Sequence, residues 1–450
     1  MKRSFWATGR RTLNHSLRAA VSLLPRDTRF ALHRALIDCD PHPDPRLTLC
    51  IASTRDDLEA CFSLLHDAYV ASGFMKPDPS GLRVTPYHAL PTTTTLCAKF
   101  DGLVVGTLSL VREGVFGFPL QSAFDLTPLR AQAGRIAEIS ALAVHPHFRK
   151  SGGRILFPLM KFMYEYCTAF FDTRHLVIAV NPNRIEMYES LLFFKRLQAQ
   201  VVANYDFANG APAVAATLDL DDAPEIFAHA YAHRSTRRNL HRYFTQTLLP
   251  HIHFPDRTYF TTNDPVMSPD LLDYFFNQRT QGFAQLDERK RRLLHSIYPQ
   301  QAYQAALPPL AKSTDGSVRV RRHGRHSLKC PARLETIQNG LKSLPIEVLE
   351  ISLHGFLARA DAPLAERTRG VVCVQLGAHR NSIAEAVVIR RVGPADGHYY
   401  GFRIDTPDVA WQTCINELEE RDNPAAANGA ASRAKKGDYT EPMPWDAVLA

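Results

Sequence analysis

Two stretches of this 450-residue chain hold residue types at spacings suited to phosphate esters. In the first, the run RIAEISALAV, ending at Val144, leads into HPHFRKSGGRILFPLMKFM. A strand, a basic turn with two glycines and then a helix gather backbone N–H groups and the positive end of a helix dipole at one point, which favours a phosphate. Arg149, Lys150, Gly152, Gly153 and Arg154 make up that turn. Downstream, AVNPNRIEMYESLLFF places Tyr188 seven residues after Asn181, on a helix that follows a strand. Asn181 there suits a turn or strand-end cap.

The second stretch is RRHGRHSL, which carries Arg321 and Arg325, with Arg322 adding charge. The planar fork of arginine offers paired donors to phosphate and also stacks on purine faces. Twenty-five residues after Arg325, EISLHG runs from Glu350 to Gly355. Its small residues, Ser352 and Gly355, let a ligand approach the backbone closely.

The elements that must position these residues follow from periodicity. RLTLCIAS reads as a strand, and RDDLEACFSLLHDAYVASGF has apolar residues three and four apart, the helical spacing. TTTTLCAKF and LVVGTLSLV flank Asp101-Gly102, the signature of a β-hairpin. RIAEISALAV is a further strand, ILFPLMKFMYEYCTAFF a long helix, HLVIAV a buried strand, RIEMYESLLF the start of a helix and LQAQVVANYDF a last strand. Residues 221–312 read as helical, packed on a neighbouring domain, and 313–316 as a linker. From Arg319 many short strands separated by turn residues predict a small β-barrel, closed by a helix at DVAWQTCINELEE. The expected fold is α+β and multidomain. Residues 1–45 form a basic helical segment, 46–220 a mixed α/β domain, 221–312 a helical extension, 315–420 the barrel and 421–450 a disordered tail.

Composition narrows the partners. A net charge of +8 favours anionic ligands, but no dense basic block marks a nucleic-acid binder. The eight cysteines stand singly with no C-x-x-C pair, which argues against a zinc site or a disulfide framework and for reduced thiols in the cytoplasm. His251 and His253 have no carboxylate or cysteine beside them in sequence, so no metal is expected. No apolar run is long enough for a transmembrane helix. The first 40 residues, with the amphipathic stretch LNHSLRAAVSLLP, admit two placements: on an anionic membrane at its inner face, or docked on the rest of the protein.

Residues 47–220, with GTLSLV, the HPHFRKSGGR turn and the NP…Y…LLFF ending, resemble the GNAT acyltransferases, and within them the long-chain N-acyl amino acid synthases, relatives of the acyl-homoserine-lactone synthases. The resemblance implies acyl transfer from acyl-acyl carrier protein, or acyl-CoA, to the amine of an amino acid or related acceptor. It implies Glu138 as general base, the backbone N–H groups near Leu142 and Ala143 as polarisers of the thioester carbonyl, and Tyr188 as acid for the leaving thiolate. The turn departs from the family pattern, because Arg154 stands where a small residue is usual. That suits the single phosphate of a carrier-protein arm better than a CoA pyrophosphate. Arg149, Lys150, Arg154 and Lys161 would meet an acidic carrier protein.

The barrel segments resemble a PilZ domain, whose R-x-x-x-R and D/N-x-S-x-x-G motifs bind cyclic di-GMP. The resemblance implies contacts from Arg321, Arg322, Arg325, Glu350, Ser352 and Gly355. Glu350 is one methylene longer than the usual Asp or Asn. Together these features predict a cyclic di-GMP-responsive N-acyltransferase. The alternative is a non-catalytic effector that uses its GNAT-like domain to bind a partner or a membrane.

Overall fold

The turn at Asp101-Gly102 joins the first hairpin of the larger sheet. Both residues lie in the left-handed region, at φ +51° and +79°, as a two-residue turn between right-twisted strands demands. It links β2 (Thr93–Phe100) to β3 (Leu103–Arg112), with Phe100 facing Leu103. These features are seen in a computed structural model that describes residues 24–149, 152–171, 173–298, 300–311, 324–336, 342–392 and 398–421.

The sheet is mixed. Strand β1 (Leu47–Ile51) flanks β2, and β4 (Arg135–Val144) flanks β3, all antiparallel. Strand β5 (Thr173–Val180) then runs parallel to β4. Two short strands, β6 (Lys195–Arg196) and β7 (Val202–Tyr205), and the longer β8 (Ala211–Asp219) complete the order β1-β2-β3-β4-β5-β8-β6, with β7 on β8. The last long strand is therefore β8, not LQAQVVANYDF. APAVAATLD is buried over most of its length and rich in alanine, so it shows neither alternation nor β-branched enrichment.

Three long helices pack on this sheet, and a fourth lies on one of them. Helix α1 (Arg26–Ala35) docks on α4 (Pro182–Leu192): Arg29 pairs with Glu186 at 2.5 Å and Arg26 with Glu189 at 3.1 Å. Most of the stretch LNHSLRAAVSLLP lies outside the described residues. Helix α2 (Arg55–Ala71) starts at Thr54, whose hydroxyl accepts from the Asp57 N–H at 3.2 Å, and buries Leu58, Cys61, Phe62 and Leu65 on one face. Helix α3 (Leu156–Ala169) lies on the other side of the sheet, with Leu159, Phe162 and Tyr166 fully buried.

Beyond β8, α5 (Ala223–Tyr231) and α6 (Leu240–Thr245) add Phe227, Tyr231 and Phe244 to the α3 core. Residues 267–307 pack against α2 through Leu272, Phe275 and α7 (Glu288–Ile297). The segment 221–312 is not helical throughout. From Gln246 to Met267 it is an irregular strap, because Pro250, Pro255 and Pro265 remove donors and block helical continuation. Part of it pairs with the barrel: Thr261 bridges Leu328, and the Phe260 N–H donates to the Leu376 carbonyl at 2.9 Å.

The C-terminal barrel is closed by six antiparallel strands in the order β10-β11-β14-β13-β12-β9. They are β9 (His326–Thr336), β10 (Lys342–Ser352), β11 (Gly355–Ala360), β12 (Arg369–Gly377), β13 (Arg380–Val392) and β14 (Tyr399–Ile404). Helix α8 (Val409–Arg421) stoppers it with Trp411, Ile415 and Leu418. The expected linker at 313–316 and the tail from 422 onward lie outside the described residues. Among those residues no helix is long and apolar enough to cross a membrane.

Candidate active site

The centre of the sheet comes apart where chemistry was expected. Strands β4 and β5 pair from Arg135 to Glu138 only; from Ile178 on, β5 pairs with β8 alone. On its other edge β4 carries a bulge: Ser109 faces Ser140 and Thr107 faces Ala143, so Ala141 and Leu142 oppose Leu108 alone. Ala141 sits at φ +54°, a left-handed conformation costly for any residue with a Cβ. The bulge turns backbone amides out of the ladder. Into the fork opens a cavity of about 990 Å³, lined by Glu138, Leu142, Ile178, Asn181 and Tyr188 among others.

Glu138 is only 2% exposed. Its carboxylate accepts the Leu120 N–H at 2.9 Å. No basic side chain among the described residues forms an ion pair with it. Burial pushes its pKa up to about 8, against the pull of the Leu120 N–H. A carboxyl titrating there is matched to an amine.

Tyr188 lies half-buried on α4 with its ring edge-on to Phe194, at 5.9 Å between centroids. Its hydroxyl has no protein hydrogen-bond partner among the described residues, and burial raises its pKa, so it stays protonated at neutral pH. Asn181 caps α4, its side-chain oxygen accepting the Asn183 N–H at 3.0 Å. Leu142 reaches the cavity. Ala143 does not: alternation along β4 turns its side chain into a cluster with Leu64, Leu65 and Ala68.

The basic turn is glycine-shaped. Gly152 and Gly153 have φ of +69° and +88°, and a Cβ on Gly153 would meet the Phe157 ring at 2.5 Å. Arg149 donates from Nε to the Val144 carbonyl at 2.7 Å, and Arg154 is exposed. Lys150 lies outside the described residues. Lys161 is no carrier-protein contact. It is 1% exposed, donates to the Phe244 carbonyl at 3.0 Å and pairs with Glu165 at 2.6 Å, because the apolar face of α3 turns it inward.

Several site residues have no sequence motif. Arg83, His88, Tyr69 and Tyr205 converge beside the bulge from α2, from a proline- and glycine-rich loop and from β7. Periodicity cannot signal such positions. The one hint is a lone arginine between Leu82 and Val84.

In the barrel, Arg325 is ion-paired to Glu350 at a bulge of β10. Ser352 donates to the Gly355 carbonyl at 3.1 Å across the β10–β11 turn. A Cβ on Gly355 would meet the Phe402 carbonyl oxygen at 2.5 Å, so strand pairing with β14 already requires glycine there. Arg321 and Arg322 lie outside the described residues.

Residues 60–219 match the family model of the N-acyl amino acid synthase FeeM. No curated protein matches the chain. Among solved structures, FeeM, an N-acyl amino acid synthase from uncultured soil microbes, is 23% identical, covers 40% of this chain and 95% of its own, and gives a TM-score of 0.34. BjaI, a CoA-dependent acyl-homoserine lactone synthase with SAM and isopentyl-CoA, is 20% identical over 42% of this chain and 91% of its own, at a TM-score of 0.32. The AHL synthase LasI is 15% identical over 47% of this chain and 98% of its own, also at 0.32.

Proposed function

We propose that the GNAT-like part is an N-acyltransferase that moves an acyl group from a thioester of acyl carrier protein or CoA to the amine of an amino acid or related acceptor. The observation that carries the proposal is one cavity, in the fork of β4 and β5, that holds both Glu138 and Tyr188. The family match over residues 60–219 supports the reaction class. The phosphate of the donor arm would lie on the turn of Arg149, Lys150, Gly152, Gly153 and Arg154.

The acceptor arrives as an ammonium and loses a proton to Glu138, directly or through a water. Its nitrogen attacks the thioester carbonyl carbon. Negative charge gathers on the carbonyl oxygen, which faces the amides freed by the bulge near Leu142 and Ala143. The carbon–sulfur bond then breaks, and the leaving thiolate takes a proton from Tyr188. The first proton on Glu138 passes to solvent. Glu138 takes the second proton from the attacking nitrogen, which keeps one as the amide, and relay of that second proton through water to Tyr188 closes the cycle. The acyl chain would run between Met160 and Met163 into an apolar pocket walled by Phe227 and Phe244.

The barrel is proposed as the regulatory input, with cyclic di-GMP as ligand held by Arg321, Arg322, Arg325, Glu350, Ser352 and Gly355. A dinucleotide phosphate would draw Arg325 away from Glu350. Peripheral membrane contact through residues 1–40 remains part of the proposal for the segment preceding α1.

The test uses the full chain with dodecanoyl-acyl carrier protein or dodecanoyl-CoA, a panel of amino acids, and detection of free thiol, with and without cyclic di-GMP. Acceptor-dependent thiol release supports transfer. Release at background with every acceptor sinks it. Transfer that ignores cyclic di-GMP leaves an acyltransferase with a barrel of another use. A biological output that survives Glu138→Gln with Tyr188→Phe favours a non-catalytic scaffold.

A further inference from the structure

Arg83 is a half-buried guanidinium with no acidic partner among the described residues. Some arginines around the sheet with half-buried guanidinium groups meet carboxylates: Arg29 meets Glu186, Arg174 meets Asp219 and Arg279 meets Glu59. Arg112 on β3 shows no such ion pair among the described residues either, but it lies over the Phe171 ring beside Thr262 and away from the cavity. Arg83 instead donates from Nη2 to the Phe207 carbonyl at 2.8 Å and stacks over the rings of Tyr69 and Phe207, at 4.1 and 5.1 Å from their centroids. Among the described residues nothing anionic neutralises it, and burial lowers its pKa. A desolvated cation left unpaired is costly, so such a group is retained where a ligand supplies the counter-charge.

Its position fits the acceptor. Arg83 lines a small pocket with Thr85, His88 and Ser109. That pocket shares Ser140, Ala141 and Phe207 with the main cavity, so the two meet at the β4 bulge, where the thioester carbonyl would sit. His88 adds no charge. The Thr85 N–H donates to its Nδ1 at 3.0 Å, its Nε2 lies 3.4 Å from Ser109 Oγ, and burial lowers its pKa to about 3.

We propose that Arg83 holds a carboxylate of the acceptor, so that this site takes amines bearing a carboxylate close to the amino group and rejects neutral amines. The proposal rests on the acyl-transfer reading. The paired donors of the guanidinium face the carboxylate, and the stacked rings fix its plane. The amine then points from the side pocket toward the fork and Glu138. A donor phosphate is the other anion in the reaction, and its expected place is the turn at 149–154, beyond the end of β4.

The test has a binding arm and a kinetic arm, both on the full chain. In the first, N-dodecanoylglycine and N-dodecanoylglycinamide are titrated into wild type, Arg83→Met and Arg83→Lys. Wild type should bind the acid at least about 100-fold tighter than the amide. Arg83→Met, which keeps an apolar stem on Tyr69, should bind the two alike, and Arg83→Lys should keep part of the preference. In the second, glycine and glycinamide compete as acceptors with dodecanoyl-CoA as donor, and kcat/KM for acid over amide should collapse in Arg83→Met. Equal binding of acid and amide by wild type overturns the proposal, whether or not the variants fold. So does an acid preference that persists in folded Arg83→Met. Weaker dodecanoyl-CoA binding with unchanged acceptor preference puts the anion on the donor and also overturns it. Acid-selective, Arg83-dependent binding without turnover of any acceptor keeps the carboxylate site and sinks the transfer reading instead.

Discussion

The Leu120 N–H donates to the Glu138 carboxylate at 2.9 Å, and this is the hydrogen bond that steadies a carboxyl buried at the mouth of the β4–β5 fork. One neutral donor does not offset desolvation, so the group titrates near the amine it would serve rather than near 4.5. The short helical turn Pro119–Ser122 supplies that N–H, and so a segment outside the sheet tempers the rise that burial imposes on Glu138.

The first prediction is a pH profile. A base with pKa near 8 is mostly protonated at pH 6 and mostly free at pH 9. Acyl transfer, measured as kcat/KM, should therefore rise about tenfold per pH unit below 7 and level off above 8. Glu138→Gln should lower kcat by about 10² to 10⁴ and abolish that limb. A flat profile in wild type would remove Glu138 from the role of base.

The same shift predicts a stability effect of fixed sign. The folded state holds the proton more tightly than the unfolded chain, whose carboxyl titrates near 4.5. Glu138 therefore stabilises the fold relatively at low pH, and this contribution falls away between pH 4.5 and about 8. Glu138→Gln, which cannot ionise, should be more stable than wild type at pH 9, by a few kcal/mol at most, and nearly equal to it at pH 4. Denaturant unfolding of both proteins at the two pH values checks the sign.

Tyr188→Phe isolates the leaving-group step. Loss of the hydroxyl should slow transfer from alkyl thioesters about 10- to 100-fold with little change in KM. Donors with an acidic aryl thiol need no proton, so the variant should use them almost as fast as wild type. An equal loss with both donors would assign Tyr188 to packing against Phe194.

These residues differ in how legible they were. Glu138 and Tyr188 stand on long, strongly patterned elements, and the Asp101-Gly102 turn follows from local sterics, so neighbouring residues carry the information. The bulge at Ala141 is hidden, since RIAEISALAV reads as a plain strand and the extra residue exists only relative to β3. Arg83 becomes informative only because no described residue offers it an acid, which is a three-dimensional fact. Lys161 was misread because a charged residue on an apolar helix is ordinarily exposed, whereas here Glu165 and the Phe244 carbonyl receive it in the interior. The barrel showed in its short strands and turns. The ion pair of Arg325 with Glu350 did not, because it joins residues 25 apart across a closed surface.

Chain-length selection offers a test of the acyl pocket. Met160, Met163 and Phe194 line both the fork cavity and the apolar pocket closed by Phe227 and Phe244. Phe227→Ala should lengthen the preferred acyl chain by about two to four carbons, as the removed ring vacates space beside α5, while destabilising the protein by about 3 kcal/mol. Competition among C8 to C16 thioesters reads the shift. An unchanged preference would place the acyl chain elsewhere.

The last prediction concerns the strap between the two parts. Asp264 accepts hydrogen bonds from Tyr166 on α3 and from Arg257 within the strap. Arg257 also donates to the Thr261 carbonyl, and the Arg421 side chain at the end of α8 donates to Thr261 Oγ1 at 3.2 Å. Tyr259 meets Glu417 of α8 at 2.7 Å. These contacts join α8 to α3, whose opposite end follows the basic turn proposed for the donor phosphate. Asp264→Asn cuts the charge from the middle of this chain. Breaking one side of a buried ion pair should cost about 3 to 5 kcal/mol of stability. Tyr259→Phe, which touches only the barrel side, is the milder cut, at about 1 kcal/mol. Both variants should keep transfer near the wild-type basal rate at 20 °C while losing most of the response to cyclic di-GMP. A full response in a folded Asp264→Asn protein would show that any signal from the barrel takes another route.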